Sequence, residues 1–244
     1  MSAHPWITPR WAVHSRVRAL ITTRSGGVSS APWDSLNLGT HVGDDPSHVA
    51  QNRARVRSHL PAEPLWLTQV HGTRVVEPGP GVTADTEADA AVTRAAGEVL
   101  AIMTADCLPV LLADDRGEVI GIAHAGWRGL ADGVIENTVR AMAVPPVRML
   151  AYLGPAIGPD AYEVGEDVRS VFVAKDAAAS EAFVARGGGK YHANLYLLAR
   201  LRLRALGVER IDGGDRCTLR ESAEFFSYRR DRVTGRMASF IWME

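Results

Sequence analysis

DAAVTRAAGEVLAIMTADCLPVLLADDRGEVIGIAHAGWRGL occupies residues 89–130. It holds three apolar stretches, 89–93, 99–104 and 108–113, and then a fourth, 119–123, after a tight turn at Gly117. Each is of strand length and bounded by turn residues, and together they predict a substantial mixed sheet. Upstream, 16–22 reads as a strand that leads into the turn-rich RSGGVSSAPWDSLNLG, where Gly26 and Gly27 permit close backbone approach. Asp44 or Asp45 followed by Pro46 starts a helix that runs to about Leu60, with Val49, Arg53, Val56 and Leu60 near one face. A short strand over 65–70 ends at Gly72, and 73–77 is expected to answer it across the turn. A loop rich in Pro, Gly and Asp then covers 78–89.

Downstream, Gly129 opens a helix through Ala143 that buries Val134, Ile135 and Val139. A strand at 148–153 runs into GPAIGPDAYEVG, and helical patterns follow at 166–173, 177–185 and 192–206, the last closed by Gly207. Glycines 187–189 read as a local flexible turn, and 208–212 and 236–241 as closing strands. The expectation is one compact α+β domain over 1–244, a layered arrangement of mixed sheets flanked by helices.

Composition narrows the function. The net charge of −1, from 27 Lys+Arg against 28 Asp+Glu, carries no basic excess of the kind a nucleic-acid binder needs. No run of about 20 apolar residues is present, which speaks against a membrane span. The start MSAHPWITPRW has no signal-type apolar core, and Cys107 and Cys217 do not form a secreted disulfide pattern. A reducing, cytoplasmic setting is expected, where a free cysteine serves as a core residue, a nucleophile or a metal ligand.

Three segments share one design, an apolar strand that delivers a soft ligand into a glycine-bearing or sharp turn. They are LTQVHG with His71, MTADCLP with Cys107 and IAHAGWRG with His124. Two imidazoles and a thiolate suit zinc, and three protein ligands leave a position open for catalysis. Taken singly, His71 reads first as a hydrogen-bonded strand-end residue and Cys107 as a core thiol. A metal-free alternative pairs Cys107 as nucleophile with His124 as base, the imidazole oriented by Asp106 or His71.

At these same residues the chain resembles the YfiH family, also called the laccase-domain or peptidoglycan-editing-factor family. The likeness runs through TRSGGVS at 23–29, NLGTHVGDDP at 37–46, LTQVHG at 67–72, TADCLPVLL at 104–112, HAGWRGL at 124–130 and YLGPAIGP at 152–159. It closes with CTLRE and FFSYRRDRVTGR within 217–236. The resemblance implies the YfiH-like fold and one zinc ion on His71, Cys107 and His124. It also implies phosphorolysis of adenosine, inosine and 5′-methylthioadenosine, and deamination of adenosine. Older family names imply a copper polyphenol oxidase, and a bacterial branch is tied to editing of peptidoglycan precursors. Many relatives carry cysteine where this chain has Asp160 and Ala161, which argues against an additional thiol–copper centre. None of the eight histidines forms an H-x-H pair, which further disfavours copper.

Roles follow from that chemistry. Zinc would activate water toward purine C6, with Asp106 as the proton shuttle or as a group that fixes a zinc histidine. Phosphate needs forked donors, for which Arg24, beside the N–H groups of Gly26 and Gly27, and Arg128 are the candidates. Asn37 and His41 are placed near the ribose or the zinc loop. Phe226, Tyr228 and Arg229 form a rim able to stack on the base, while Tyr162 and Glu163 are weaker candidates and Trp127 packs its turn. Purine nucleosides and inorganic phosphate are the expected partners, with no membrane or nucleic-acid polymer, in a monomer or weak homodimer.

Overall fold

The computed structural model describes residues 6–244. A four-stranded sheet runs in the order β1 (Val17–Ile21), β13 (Met237–Met243), β5 (Val99–Thr104), β2 (Pro64–Leu65). A six-stranded sheet runs β12 (Arg210–Gly213), β8 (Met149–Leu153), β6 (Leu108–Asp114), β7 (Ile120–Ala125), β4 (Ala90–Thr93), β3 (Val75–Val76). Each mixes parallel and antiparallel neighbours. A small third sheet orders β10 (Phe183–Gly187), β11 (Lys190–Ala193) and β9 (Glu163–Gly165). The protein is α+β, with mixed sheets flanked by helices, as the sequence leads one to expect.

The central strands β5, β6 and β7 are buried at every position, and largely apolar, because both of their faces are covered. Successive side chains of a strand point to opposite faces. Leu111 and Ala113 of β6 meet Leu100 and Ile102 of β5, Ile120 and Ile122 of β7 and Ile241 of β13 in a core between the two large sheets. Val110 and Leu112, the alternate residues of β6, pack with Leu130, Val134, Ile135 and Leu198 from the helical layer. On the far side of the smaller sheet, Ala101 and Met103 meet Val56, Trp66 and Phe240. Truncating a buried residue such as Ile102 to Ala would cost roughly 2–5 kcal/mol.

Helix α1 (Pro46–Arg57) starts as expected, with the Asp45 side chain accepting from Ser47 N–H at 2.7 Å. The helix expected over 129–143 is instead two, α2 (Trp127–Asp132) and α3 (Val134–Met142). Gly133, at φ +104°, breaks the hydrogen-bond ladder between them. The hairpin expected from 65–70 and 73–77 does not form: β2 joins β5 and β3 joins β4, both in parallel. The chain between them turns through His71 at φ +61°. The helical reading of 177–185 also fails. A 3-10 turn covers Ala177–Ala182, then β10 and β11 form a hairpin around Gly187, Gly188 and Gly189, all at positive φ. Helix α4 (Leu195–Ala205) consequently starts later than expected, capped by Asn194, whose side chain accepts from Leu197 N–H at 3.0 Å.

Candidate metal centre

Strand register gathers the three soft ligands. β6 and β7 pair antiparallel with Pro109 opposite His124, so the turn before β6 and the turn after β7 share one end of the sheet. That places Cys107 beside His124. β4 pairs with the other edge of β7, Ala90 opposite Ala123, and β3 runs parallel to β4, so the His71 turn arrives at the same end.

The donor atoms of His71, Cys107 and His124 lie within 4.8 Å of one another, and Cys107 Sγ is 3.9 Å from His71 Nε2. A tetrahedral zinc ion sets its N and S ligand atoms roughly 3.3–3.8 Å apart, so the cluster needs only a small contraction. His124 is 3% exposed, and the two imidazoles meet edge to face with centroids 4.8 Å apart. Gly126 keeps the space between the donors clear. A Cβ there would lie 3.0 Å from both Cys107 Sγ and His71 Cδ2, and 3.6 Å from His124 Nε2. Two imidazoles and a thiolate, brought together on a cavity wall, fit a metal ion of zinc type.

One buried carboxylate organises the cluster. Asp89 is fully buried, and Oδ1 lies 2.8 Å from His124 Nδ1, which directs the free Nε2 toward the other ligands. The same carboxylate accepts the N–H groups of Val70, His71 and Gly72 at 3.2, 2.9 and 2.7 Å. It therefore orients one histidine through its ring and the other through its turn. Burial raises the Asp89 carboxyl, but these donors outweigh it and hold the group below the ordinary range. Burial likewise raises the Cys107 thiol, and His124 and His71 overcome that to bring it down to about 6. Burial lowers His124, but Cys107 and Asp89 outweigh it and raise the imidazole to about 9, so a cation binding there displaces the Nε2 proton of the imidazolium beside the thiolate.

The cluster lies in the wall of a cavity of about 720 Å³. Of the substrate-contact candidates, His41 and Tyr228 line it, Tyr228 being half-exposed. The others do not. Arg24 borders a separate, smaller hollow and is bound to Asp34 O, Ser222 O and the Asp34 carboxylate. Phe226 is wholly buried beneath the Arg24 guanidinium, so no base can stack on it. Asn37, also wholly buried, spends its amide on Gly39, Asp44 and the N–H of Arg236. Arg128 lies over the Trp127 ring at 4.6 Å, and Arg229 lies over Tyr162 while donating to Glu163 O. Asp106, at φ +92°, accepts from Thr218 Oγ1, Ser227 Oγ and Arg229 N–H at 2.6, 3.1 and 2.7 Å. Those bonds fasten the Cys107 turn to the C-terminal loops, and the orientation of a ligand histidine falls to Asp89.

Sequence reasoning missed Asp89, Arg53 and Arg236, the latter two also lining the cavity. A signal existed for Arg53, a cation set between Val49 and Val56 on the buried face of α1. Asp89 differs from the strand it precedes only by being an acid at the head of an otherwise apolar run.

An α+β fold that gathers two imidazoles and a thiolate on the wall of an open cavity defines a protein with a candidate catalytic metal centre. Residues 18–244 match the family described as multi-copper polyphenol oxidoreductase laccase. The chain is 54% identical over 239 residues to the Escherichia coli protein named purine nucleoside phosphorylase YfiH, covering 97% of this chain and 98% of that one. It is 52% identical over 240 residues to a Pseudomonas aeruginosa purine nucleoside phosphorylase, covering 98% of each. The crystal structure of a Neisseria meningitidis protein matches with a TM-score of 0.94 at 51% identity, covering 98% of this chain and 99% of that one. YlmD from Geobacillus stearothermophilus matches at 0.91 and 31%, covering 100% and 98%. The chain belongs to the YfiH family. Among the described residues, no helix is long and apolar enough to cross a membrane.

Proposed function

We propose that the protein is a zinc-dependent purine nucleoside phosphorylase, acting on adenosine, inosine and 5′-methylthioadenosine, which also deaminates adenosine. The observation that carries this reading is the convergence of His71, Cys107 and His124 on the wall of one cavity, in a chain half identical to enzymes named purine nucleoside phosphorylases. A cavity of about 720 Å³ is in the range that accommodates a small ligand with its co-substrate.

When bound, zinc supplies Lewis-acid chemistry at the three ligands. The chain's own groups set the conditions for it. Asp89 holds His124 in the tautomer that leaves Nε2 free, and it holds the His71 turn through three N–H bonds. Tyr228 presents a half-exposed aromatic ring on the cavity wall, suited to one face of a purine. The donor set favours zinc over a multicopper oxidase. Among the described residues there is a single cluster of three donors, where such an oxidase needs several histidine groups.

Incubating the zinc-loaded protein with adenosine, with and without phosphate, tests the reading. Adenine and ribose 1-phosphate appearing only with phosphate, together with inosine and ammonia, are the expected products. Turnover of peptidoglycan precursors without any nucleoside turnover, or oxygen uptake by a copper-loaded protein alone, would replace it with the corresponding alternative.

A further inference from the structure

Among the described residues, eleven arginines meet an acid in a salt bridge. Arg148, for example, reaches Asp114, Asp115 and Glu118 at 2.6, 3.1 and 3.4 Å. Two arginines on the cavity wall do not. Arg53 lies over the Trp66 ring at 4.0 Å and donates from Nε to Leu38 O at 3.0 Å, with a longer contact from Nη2 to Met103 Sδ. Arg236 donates from Nη1 to Thr234 O and Gly235 O, and its backbone is pinned by Asn37. Neither forms a salt bridge among the described residues. Glu63, the acid whose field favours the Arg53 charge, is taken up by Trp66 Nε1 at 2.9 Å and by Arg57 at 3.8 Å. Asp85, the carboxylate on the same wall, is exposed and pairs with neither arginine.

Both guanidiniums are partly buried, and burial lowers the pKa of each, yet an arginine stays charged under any ordinary condition. A charge taken from water without a counter-ion is costly, and an anion is what removes that cost. His41 stands close enough to feel both. Burial first, and then Arg236 and Arg53, lower its pKa, so at neutral pH it is an uncharged imidazole able to donate one N–H. The unused N–H groups are Nη1 of Arg53 and Nε and Nη2 of Arg236, on residues that open to the same space as the metal ligands. Planar forks of this kind match the oxygens of a tetrahedral oxyanion.

We propose that Arg53, Arg236 and His41 form an oxyanion subsite in the wall of the metal cavity, and that its ligand is inorganic phosphate. The inference deepens the phosphorolysis reading and rests on it for the role of the bound anion. Hydrogenphosphate held there attacks C1′ of the nucleoside through one oxygen. The C1′–O bond forms as the C1′–N9 bond breaks, and the bonding pair leaves with N9. The proton given up by hydrogenphosphate ends on the purine, so ribose 1-phosphate and the neutral base are the products. The arginines lie at some remove in sequence from every ligand, on α1 and at the foot of β13, and only the fold brings them to the cavity.

Steady-state kinetics of the zinc-loaded protein with inosine, varying phosphate, tests the subsite. Arg236→Gln and Arg53→Gln should each raise the KM for phosphate by roughly 10–100-fold, the scale of a charge-assisted hydrogen bond, while zinc content stays at the wild-type level. The KM for inosine should move far less, and Arg53→Lys should recover part of the loss. An unchanged phosphate KM in both Gln variants overturns the subsite and leaves the phosphorolysis reading in place. Calorimetric titration with inorganic phosphate alone keeps the two ideas separate. Phosphate binding that is lost in Arg236→Gln, in a wild-type protein that cleaves no nucleoside, sustains the subsite and removes the phosphorolysis reading. No phosphate binding by the wild-type protein removes the subsite. Arg53→Gln also loses its stack on Trp66, so the Arg236→Gln result decides if the Arg53 variant does not fold.

Discussion

The cavity has two differently built ends. Of the candidate metal ligands, Cys107 directly precedes β6, His124 is the penultimate residue of β7 and His71 lies in the Asp89-bound loop, and that buried carboxylate cross-ties the two histidines. The arginine end draws on the middle of a helix and on the chain just before β13, fixed by a ring stack and by backbone carbonyls. The first end is preorganised by hydrogen bonds to a group with no freedom to move. The second is held by packing, and among the described residues neither arginine forms a salt bridge, although the fields of Cys107 and Asp106 favour the Arg236 charge and that of Glu63 the Arg53 charge. A cluster of the first kind is suited to a permanently resident cation, and one of the second kind to an anion that comes and goes with each turnover.

Removing one member of the rigid end should produce the largest effect. Cys107→Ala leaves two imidazoles and is expected to lose most of the bound metal and nearly all activity, because three ligands leave no spare. Metal analysis of the purified variant checks this, and full zinc retention would defeat the assignment. Asp89→Asn comes next. The amide keeps the shape but has a single acceptor oxygen where the carboxylate serves three backbone N–H groups and His124. Zinc affinity, read by chelator competition, should fall by about 10–100-fold. A variant that binds zinc as the wild type does would show that the turn holds itself.

The contrast between the two ends also explains what was legible in the sequence. His71, Cys107 and His124 each close an apolar run with a sharp turn, so a local pattern marked them before any coordinates. The central strands were legible for the same reason, since burial of both faces of β5, β6 and β7 writes a largely apolar run into the chain. Where pairing is long-range the local pattern misled. The expected 65–77 hairpin is undone because both halves find parallel partners elsewhere and the Asp89 carboxylate claims the N–H groups of the turn. The 177–185 segment looked helical because nothing local reveals that Val184 and Ala185 pair with His192 and Tyr191 across a glycine turn. Arg53 and Arg236, far apart in the chain, carry no shared motif, and the loop glycines drew attention to Arg24 instead.

Asn37 tests how far the looser end depends on its supports. Its side-chain oxygen accepts the N–H groups of Gly39 and Arg236, and its amide donates to Gly39 O and Asp44. Asn37→Ala should therefore loosen both the His41 loop and the Arg236 backbone while leaving the metal ligands untouched. A severalfold rise in phosphate KM at constant zinc content is expected. Equal loss of zinc and phosphate binding would mean that the two ends are not separately supported.

The smallest effect should come from Arg24, and its smallness is informative. The glycine-bearing loop around it has the composition of an anion cradle, but the guanidinium is already engaged by Asp34 and by two backbone carbonyls, outside the cavity wall. A group whose donors are spent on its own protein has little to offer a ligand. Arg24→Ala is thus expected to lower thermal stability, since it unties the 24–35 loop from Ser222, and to keep the phosphate KM within about twofold of the wild type. If that KM instead rises as it does in Arg236→Gln, the loop must open in solution to deliver Arg24 to the anion. The division of the cavity into a fixed cation end and a packed anion end would then have to include a moving third part.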